Sequence, residues 1–510
     1  YIWFSICAGS CENKANIIST SNPVTFEEGA HELLHGRLSL GPSHNSMRVM
    51  FTSGKPLFPP QVEITYQNPF HSAAKTVSHV YDGESIAPYS ITDMCFEPAT
   101  DKAVFSCPGW QHDVLLTELK PSERVYYRYG SNMTGIWSTW AWFETPKSTP
   151  VGEVETHVIF GDMGVGVDYK PTGGSSYIPA KQSVRWMMKA IGIKTRDNYL
   201  PTSDSWMKKN RKWRVPSIII HIGDISYARG YPMIWEEFLH SIEPIARRVP
   251  YMVSVGNHEY DYRGYGMDWA PLWWSGGKDS GGECGVPFSN LFHMPIPLRS
   301  EFLPKATGRK NTRNLWYSFK KGSISYVMMS TESDLSSGPQ LKFLENTLQR
   351  VNRDETPWIV FTGHRPAYTS TADPPVSIDA IYYRKILEPL FRKYQVDVAF
   401  WGHQHQYERL CAMVSDFTCA SEKNVTSGVT LGTVHMVVGN AGNTYMDPWI
   451  YPEPKYVKYR SRSFGVTTVT SDRSFLRIDY HGAIPERVHD SFTIHKGDEP
   501  VSVTMKEAYA

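Results

Sequence analysis

The chain has 510 residues, 41% of them apolar and 20% charged, which allows two or more domains and a large buried core. Its 52 Lys+Arg nearly cancel 51 Asp+Glu, and a formal charge of +1 argues against a broad surface for nucleic acid or anionic membrane. No run approaches the roughly 18 apolar residues that a membrane helix needs. The opening "YIWFSICAGSCENK" is apolar for eight residues and lacks a basic leader, so it is no complete signal peptide. A chain with its targeting segment already removed and a truncated chain both fit.

Residues 1–148 read as all-β. "SMRVMFTS" (Ser46–Ser53) alternates Met47, Val49 and Phe51 with Arg48, Met50 and Thr52, the pattern of a half-buried strand. "QVEITYQ", "HDVLLTEL", "RVYYRYGS" and "WSTWAWFET" repeat that character between Pro- and Gly-bearing turns, which points to a β-sandwich. "TPKSTPVGE" (Thr145–Glu153) reads as the linker. From residue 149 to 510 the rhythm changes. "THVIFGDMG", "SIIIHIGD", "VPYMVSVGNHEY", "TPWIVFTGHRP" and "QVDVAFWGHQH" are buried-type strands. Helical stretches separate them, including "AKQSVRWMMKAIG", with Val184, Met187, Met188 and Ile191 at helical spacing, and "PQLKFLENTLQRVN". That alternation predicts an α/β layered domain with strands covered on both faces. "FGVTTVTSDRSFLRIDYHG" and "DSFTIHK" return to strands.

Each of the five buried strands ends in side chains able to bind metal: Asp162, Asp224 with Tyr227, Asn257 with His258, His364, and His403 with His405. A glycine precedes the polar group each time. One Gly-Asp after a strand is ordinary turn chemistry; five such motifs in chain order are not. Ligands of open α/β sheets collect beyond the carboxyl ends of the strands, so separate loops can converge there. Two Asp, one Asn, three His and one Tyr offer hard oxygen and borderline nitrogen donors, which suit iron, zinc or manganese rather than calcium. Asp224 can bridge two ions with its two oxygens. Such a pair clamps an in-line displacement at phosphorus and lowers the pKa of bound water.

Seven cysteines include three close-spaced pairs, Cys7/Cys11, Cys95/Cys107 and Cys411/Cys419, with Cys284 left over. The spacing is compatible with short-range disulfides, but connectivity does not follow from it. Asn132-Met-Thr and Asn424-Val-Thr are glycosylation sequons at a chance frequency. Together these lean towards an oxidising secretory compartment. The basic stretch Lys208–Arg214, flanked by Trp206 and Trp213, is either a local anion patch or a solvated loop.

The ordered motifs GDMG, GDISY, GNHE, GHRP and GHQH resemble the metallophosphoesterase signature of plant-type high-molecular-weight purple acid phosphatases. Tyr227 separates that family from the phosphoprotein phosphatases. "GGECGVPF", "MSTESD" and "GHRPAYTS" are most similar to the branch with diphosphonucleotide phosphatase/phosphodiesterase-like and organelle-associated members. The resemblance implies a sandwich of two mixed sheets flanked by helices, behind a fibronectin-III-like N-terminal domain. It implies an Fe(III) site from Asp162, Tyr227 and His405, and a divalent site (Zn, Mn or Fe) from Asn257, His364 and His403, with Asp224 bridging. His258 would contact phosphate and assist the leaving group. The implied activity is acid hydrolysis of phosphomonoesters by a metal-bound hydroxide. The implied partner is a small phosphorylated molecule, and the implied location is extracellular or vacuolar, or alternatively organelle-associated. The polar end "VSVTMKEAYA" lacks the membrane anchor of some relatives in the branch.

Two departures stand out. The best-known plant members carry a His pair about nine residues after the position of His364, whereas here no histidine lies between His364 and His403. His258 is then the surviving acid candidate, with Arg365 and Tyr368 as candidate substrate contacts. This loss and the branch resemblance keep a nucleotide pyrophosphatase/phosphodiesterase as the alternative. A non-catalytic binding protein predicts a missing metal donor, and all seven are present. Residues 193–216 look like an insertion beside the site, either a substrate-selecting lid or a passive surface loop.

Overall fold

The computed structural model describes residues 5–7, 17–20, 28–70, 77–146, 153–166, 179–193, 215–260, 279–297, 299–303, 313–372, 374–420, 432–444, 447–483 and 487–496. The expected insertion at 193–216 falls almost wholly outside them, as do Cys11, Asn424 and most of the 145–153 linker.

Two mixed sheets form the centre. The first has six strands in the order Tyr251–Ser254, Ile219–Ile222, Glu155–Phe160, Gly465–Ser471, Phe475–Gly482, Val488–His495. Its first three strands are parallel, and the C-terminal strands add to it antiparallel. The second is eight-stranded. Its parallel centre runs Ile324–Met328, Trp358–Gly363, Val398–Trp401, Thr433–Val438. Trp358–Gly363, Val398–Trp401 and Ile219–Ile222 are buried at every position, as unbroken apolar runs require. The sheets pack face to face: His157 Nδ1 lies 2.7 Å from Tyr326 Oη, and Ser323 Oγ lies 2.8 Å from Ser471 Oγ. Helices Ala180–Ala190, Pro232–Ala246, Gly338–Gln349 and Pro374–Tyr394 flank them. In the first of these Val184 and Met187 are buried at their expected spacing and Met188 partly so, and Ile191, which caps its C-terminus, is buried too. Parallel strands put their carboxyl ends at one edge, so the loops after five strands share one region.

The N-terminal strands make a four-stranded sheet (Leu34–Leu40, Met47–Ser53, Trp110–Leu116, Glu84–Ile86) facing a five-stranded one built on Arg124–Ser131. Met47–Ser53 corrects the half-buried expectation: Met50 is 2% and Thr52 4% exposed. The register explains it. Arg37, Met50 and Asp113 sit in one cross-strand row and share a face. Arg37 Nε donates to Leu291 O at 3.0 Å, and Asp113 Oδ2 lies 2.6 Å from His293 Nδ1. Burial works to raise the Asp113 carboxyl, but His293 and Arg48 hold it down to about 2. The polar-looking face is therefore an interface with the 291–293 segment. Alternation reads as half-buried only where nothing covers the second face.

The structure supplies the disulfide connectivity that spacing leaves open. Cys95 pairs with Cys284, 189 positions away, while Cys411 pairs with Cys419. Cys107 is exposed and carries no disulfide among the described residues. Cys95 N–H also donates to Gly282 O at 2.9 Å, so the fold brings the two segments together independently of sulfur.

Arg37 is buried and donates to Leu291 O, His35 O and Gln111 Oε1. Arg37→Ala leaves those acceptors unmet and is expected to destabilise the chain by about 2–4 kcal/mol. A urea midpoint equal to that of the parent protein contradicts this.

Candidate metal centre

Backbone strain marks the convergence. Asp162, Asp224, Tyr227 and His403 all have positive φ, at 62°, 49°, 54° and 68°. A bulky tyrosine rarely adopts this region, and such outliers persist where the surroundings over-determine them. Close approach explains the glycines. A Cβ on Gly402 would stand 2.7 Å from Asp162 Oδ2 and 3.0 Å from His364 Nδ1, and one on Gly256 would overlap Asp224 Oδ1.

The donors fall into two groups that share Asp224. Ligand-capable atoms of Asp162, Asp224 and His405 lie within 4.8 Å of one another, and so do those of Asp224, His364 and His403. Tyr227 Oη joins the first group, 3.1 Å from Asp162 Oδ1 and 3.0 Å from His405 Nε2. Asn257 Oδ1 joins the second, 3.0 Å from His364 Nε2 and 2.8 Å from His403 Nδ1. His364 Nδ1 faces Ile222 O at 3.0 Å, which turns Nε2 towards the cluster. His258 is half-buried. Its Nδ1 faces Asp279 O at 2.8 Å, its ring lies 4.5 Å from that of Tyr227, and its Nε2 is 3.8 Å from Asp224 Oδ2.

The electrostatics ask for positive charge. Burial raises Asp162, and the neighbouring Asp224 charge adds to it. Burial works the same way on Asp224, but His364 and His258 hold it well below the usual range. Burial would lower His364, yet Asp224 and Asp162 push it up to about 10. His405 is raised against burial by Asp162. His403 is lowered well below its ordinary value by burial, with Arg365 and His364 adding to it. A buried set of two carboxylates, an amide oxygen, a phenol and three imidazoles fits first-row transition ions.

The structure brings the seven expected side chains together, and sequence reading missed what holds them. Glu259, fully buried, accepts N–H bonds from Asp224 (2.8 Å), Ile225 (2.7 Å) and Gly256 (3.0 Å), clamping two donor loops together. Burial, with the Asp224 charge adding to it, pushes Glu259 up to about 8. Its place in "GNHEY" was the available signal. Asp279 accepts from Asn257 Nδ2 at 2.9 Å, and Asp447 accepts the His405 N–H at 3.0 Å. Neither stands in a strand-end pattern. Arg365 Nη1 lies 3.4 Å from His403 Nε2, and Glu332 Oε1 accepts from Arg365 Nε at 2.9 Å. The structure does not bring Tyr368 to the cluster. Its hydroxyl donates to Glu388, and its ring packs on His435 and Phe417. Asn132 is exposed in a turn.

Comparison with known proteins matches three stretches. Residues 156–407 fit the calcineurin-like phosphoesterase family, 34–145 the purple acid phosphatase N-terminal domain, and 432–491 the iron/zinc purple acid phosphatase-like protein C family. The chain is 35% identical over 513 residues to "Probable inactive purple acid phosphatase 9" of Arabidopsis thaliana, covering 96% of this chain and 71% of the relative. It is 30% identical over 367 residues to "Nucleotide pyrophosphatase/phosphodiesterase" of Hordeum vulgare, covering 71% and 88%. Among solved structures, a purple acid phosphatase from yellow lupin (Lupinus luteus) seeds aligns with TM-score 0.75 and 29% identity, over 94% of this chain and 77% of that one.

Glu259→Gln places an amide NH2 against backbone donors. It is expected to cost about 1–3 kcal/mol of stability and to lower the metal bound per chain. Unfolding midpoint and elemental analysis measure the two effects, and unchanged values in both refute the clamp.

Proposed function

The chain belongs to the purple acid phosphatase family, and from that premise we propose that it is a metal-dependent hydrolase of phosphomonoesters. One observation carries the reading: seven donors on five strand-end loops form two groups that share Asp224. The word "inactive" in the name of the Arabidopsis relative is said of that protein; in this chain every donor of the implied set is in place. Asp162, Tyr227 and His405 would hold Fe(III), Asn257, His364 and His403 a divalent Zn, Mn or Fe ion, and Asp224 both. When bound, the ion pair supplies Lewis acidity towards phosphate oxygens and acidifies water.

The chain's own side chains bind and orient. His258 is fixed through Nδ1 on Asp279 O, which leaves Nε2 facing the cluster, placed to hydrogen-bond a phosphate oxygen or the leaving-group oxygen. Arg365, gripped by Glu332, presents a cation beside His403 for a non-reacting phosphate oxygen. Tyr368 drops out of the substrate set, because its hydroxyl is taken by Glu388 and its ring packs on His435 and Phe417.

A second reading, nucleotide pyrophosphatase/phosphodiesterase, is favoured by the His-free segment after His364 and by the barley relative's name. Rates on a simple phosphomonoester, a nucleoside diphosphate and a diester separate the two. The long-range Cys95–Cys284 bridge and the exposed Asn132 sequon support passage through an oxidising secretory compartment, with an extracellular or vacuolar destination. No helix among the described residues is long and apolar enough to cross a membrane.

Asp224→Ala and His405→Ala are each expected to abolish hydrolysis of p-nitrophenyl phosphate and lower metal content together; full activity with full iron sinks the assignment. Tyr227→Phe is expected to remove visible charge-transfer absorption from a folded protein. An unchanged visible spectrum refutes the phenolate–iron contact.

A further inference from the structure

The segment after His364 is joined to the 448–450 segment by a single β-bridge. Ala372 N–H donates to Pro448 O and Ile450 N–H donates to Ser370 O, each at 2.8 Å, so Thr371 and Trp449 form an antiparallel bridge. Both sides of this bridge are tied to the metal cluster. Asp447 Oδ2 accepts the N–H of His405 at 3.0 Å, and Gln406 Nε2 donates to Thr371 Oγ1 at 3.1 Å. The segment paired with the stretch that lacks the family's His pair, together with the strand Val457–Ser461 and Arg462 after it, carries an aromatic and cationic array linked to His405 through Asp447.

Four side chains make that array. The Arg460 guanidinium lies 4.5 Å from the ring of Trp449 and 5.0 Å from that of Tyr451. It is held there by Glu453 at 2.8 Å and by Ser370 Oγ at 3.1 Å. Arg462 lies 4.3 Å from the Trp449 ring and donates Nη2 to Asp447 O at 2.7 Å. Arg462 is exposed, and no carboxylate pairs with it among the described residues. Tyr451 is 72% exposed although Arg460 lies against its ring. The array thus offers a ring to a planar group and, on Arg462, which is hydrogen-bonded to the Asp447 that holds His405, a cation to an anion.

We propose that Tyr451 and Arg462, backed by Trp449 and Arg460, form a subsite for the nucleoside end of a nucleoside phosphate. The base stacks on Tyr451, and a phosphate between base and cluster meets Arg462. Stacking on an aromatic side chain suits any planar base and adds affinity without base-specific hydrogen bonds. A phosphomonoester of a small alcohol leaves Tyr451 uncovered and gains nothing from it. This subsite rests on the reading of the cluster as a phosphate-processing centre, and it names the class of leaving group that the centre takes.

Calorimetry on the purified full chain tests it with two probes whose P–C–P bridges resist cleavage, α,β-methylene ADP and methylenediphosphonate. They share the diphosphonate and differ by the nucleoside. The parent protein is expected to bind the nucleotide analogue about ten- to a hundredfold more tightly. Tyr451→Ala is expected to remove that preference while methylenediphosphonate affinity stays within about twofold, and Tyr451→Phe to retain it. Arg462→Gln is expected to weaken both probes. Equal affinity of the parent for the two probes overturns the subsite, and so does a Tyr451→Ala loss that is the same for both. Preference for the nucleotide in a protein that hydrolyses no phosphate ester sinks the phosphatase reading and leaves the subsite standing. Hydrolysis without preference sinks the subsite alone.

Discussion

Asp162 and Asp224 are buried with carboxylate oxygens within 4.8 Å of each other, and the arrangement of the central layers depends on that constraint. Two like charges at that separation repel by a few kcal/mol even at the effective dielectric of a protein, about 20. Neither can reach water. The structure answers with donors drawn from other loops. His403 N–H donates to Asp162 at 2.9 Å, and His258 N–H donates to Asp224 at 3.0 Å. The Tyr227 hydroxyl donates to Asp162, and His364 is pulled towards its charged form. A pocket that raises a fully buried imidazole to about 10 attracts positive charge strongly, and a pair of metal cations would satisfy the seven proposed donors at once.

Holding that pocket open is work for the fold. Parallel strands deliver the loops to one edge, glycines let them close to contact distance, and Glu259 locks the Asp224 and Gly256 turns together. The N-terminal sheet contributes support at a distance: its Arg37–Met50–Asp113 row buries against the 291–293 segment. The 447–451 segment joins through Asp447, which accepts the N–H of His405.

Much of this was legible in the sequence for a physical reason. Strands covered on both faces must be unbroken apolar runs, and a donor loop that leaves one needs a glycine, so the five motifs announce both the strand and its end. The N-terminal strands were equally readable, but the burial of Met50 was not, because alternation says nothing about what covers the second face. Cys95 pairs with Cys284 rather than Cys107 because tertiary contacts decide disulfides, and spacing carries little of that information. Glu259 stood in a quoted motif and went unread, since its carboxylate serves backbone N–H groups instead of an ion. Asp447 and Asp279 lie in loops with no periodic signal. Tyr368 was placed by nearness in sequence to His364, and the chain turns its ring away onto His435.

In the proposed centre one shared carboxylate, Asp224, builds two adjoining cation sites. Counting tightly bound transition-metal ions per chain by elemental analysis on the purified, dialysed protein tests it most directly. Two ions per chain are expected, with iron as one of them. A protein that retains a single ion, or none after incubation with iron and zinc, contradicts it.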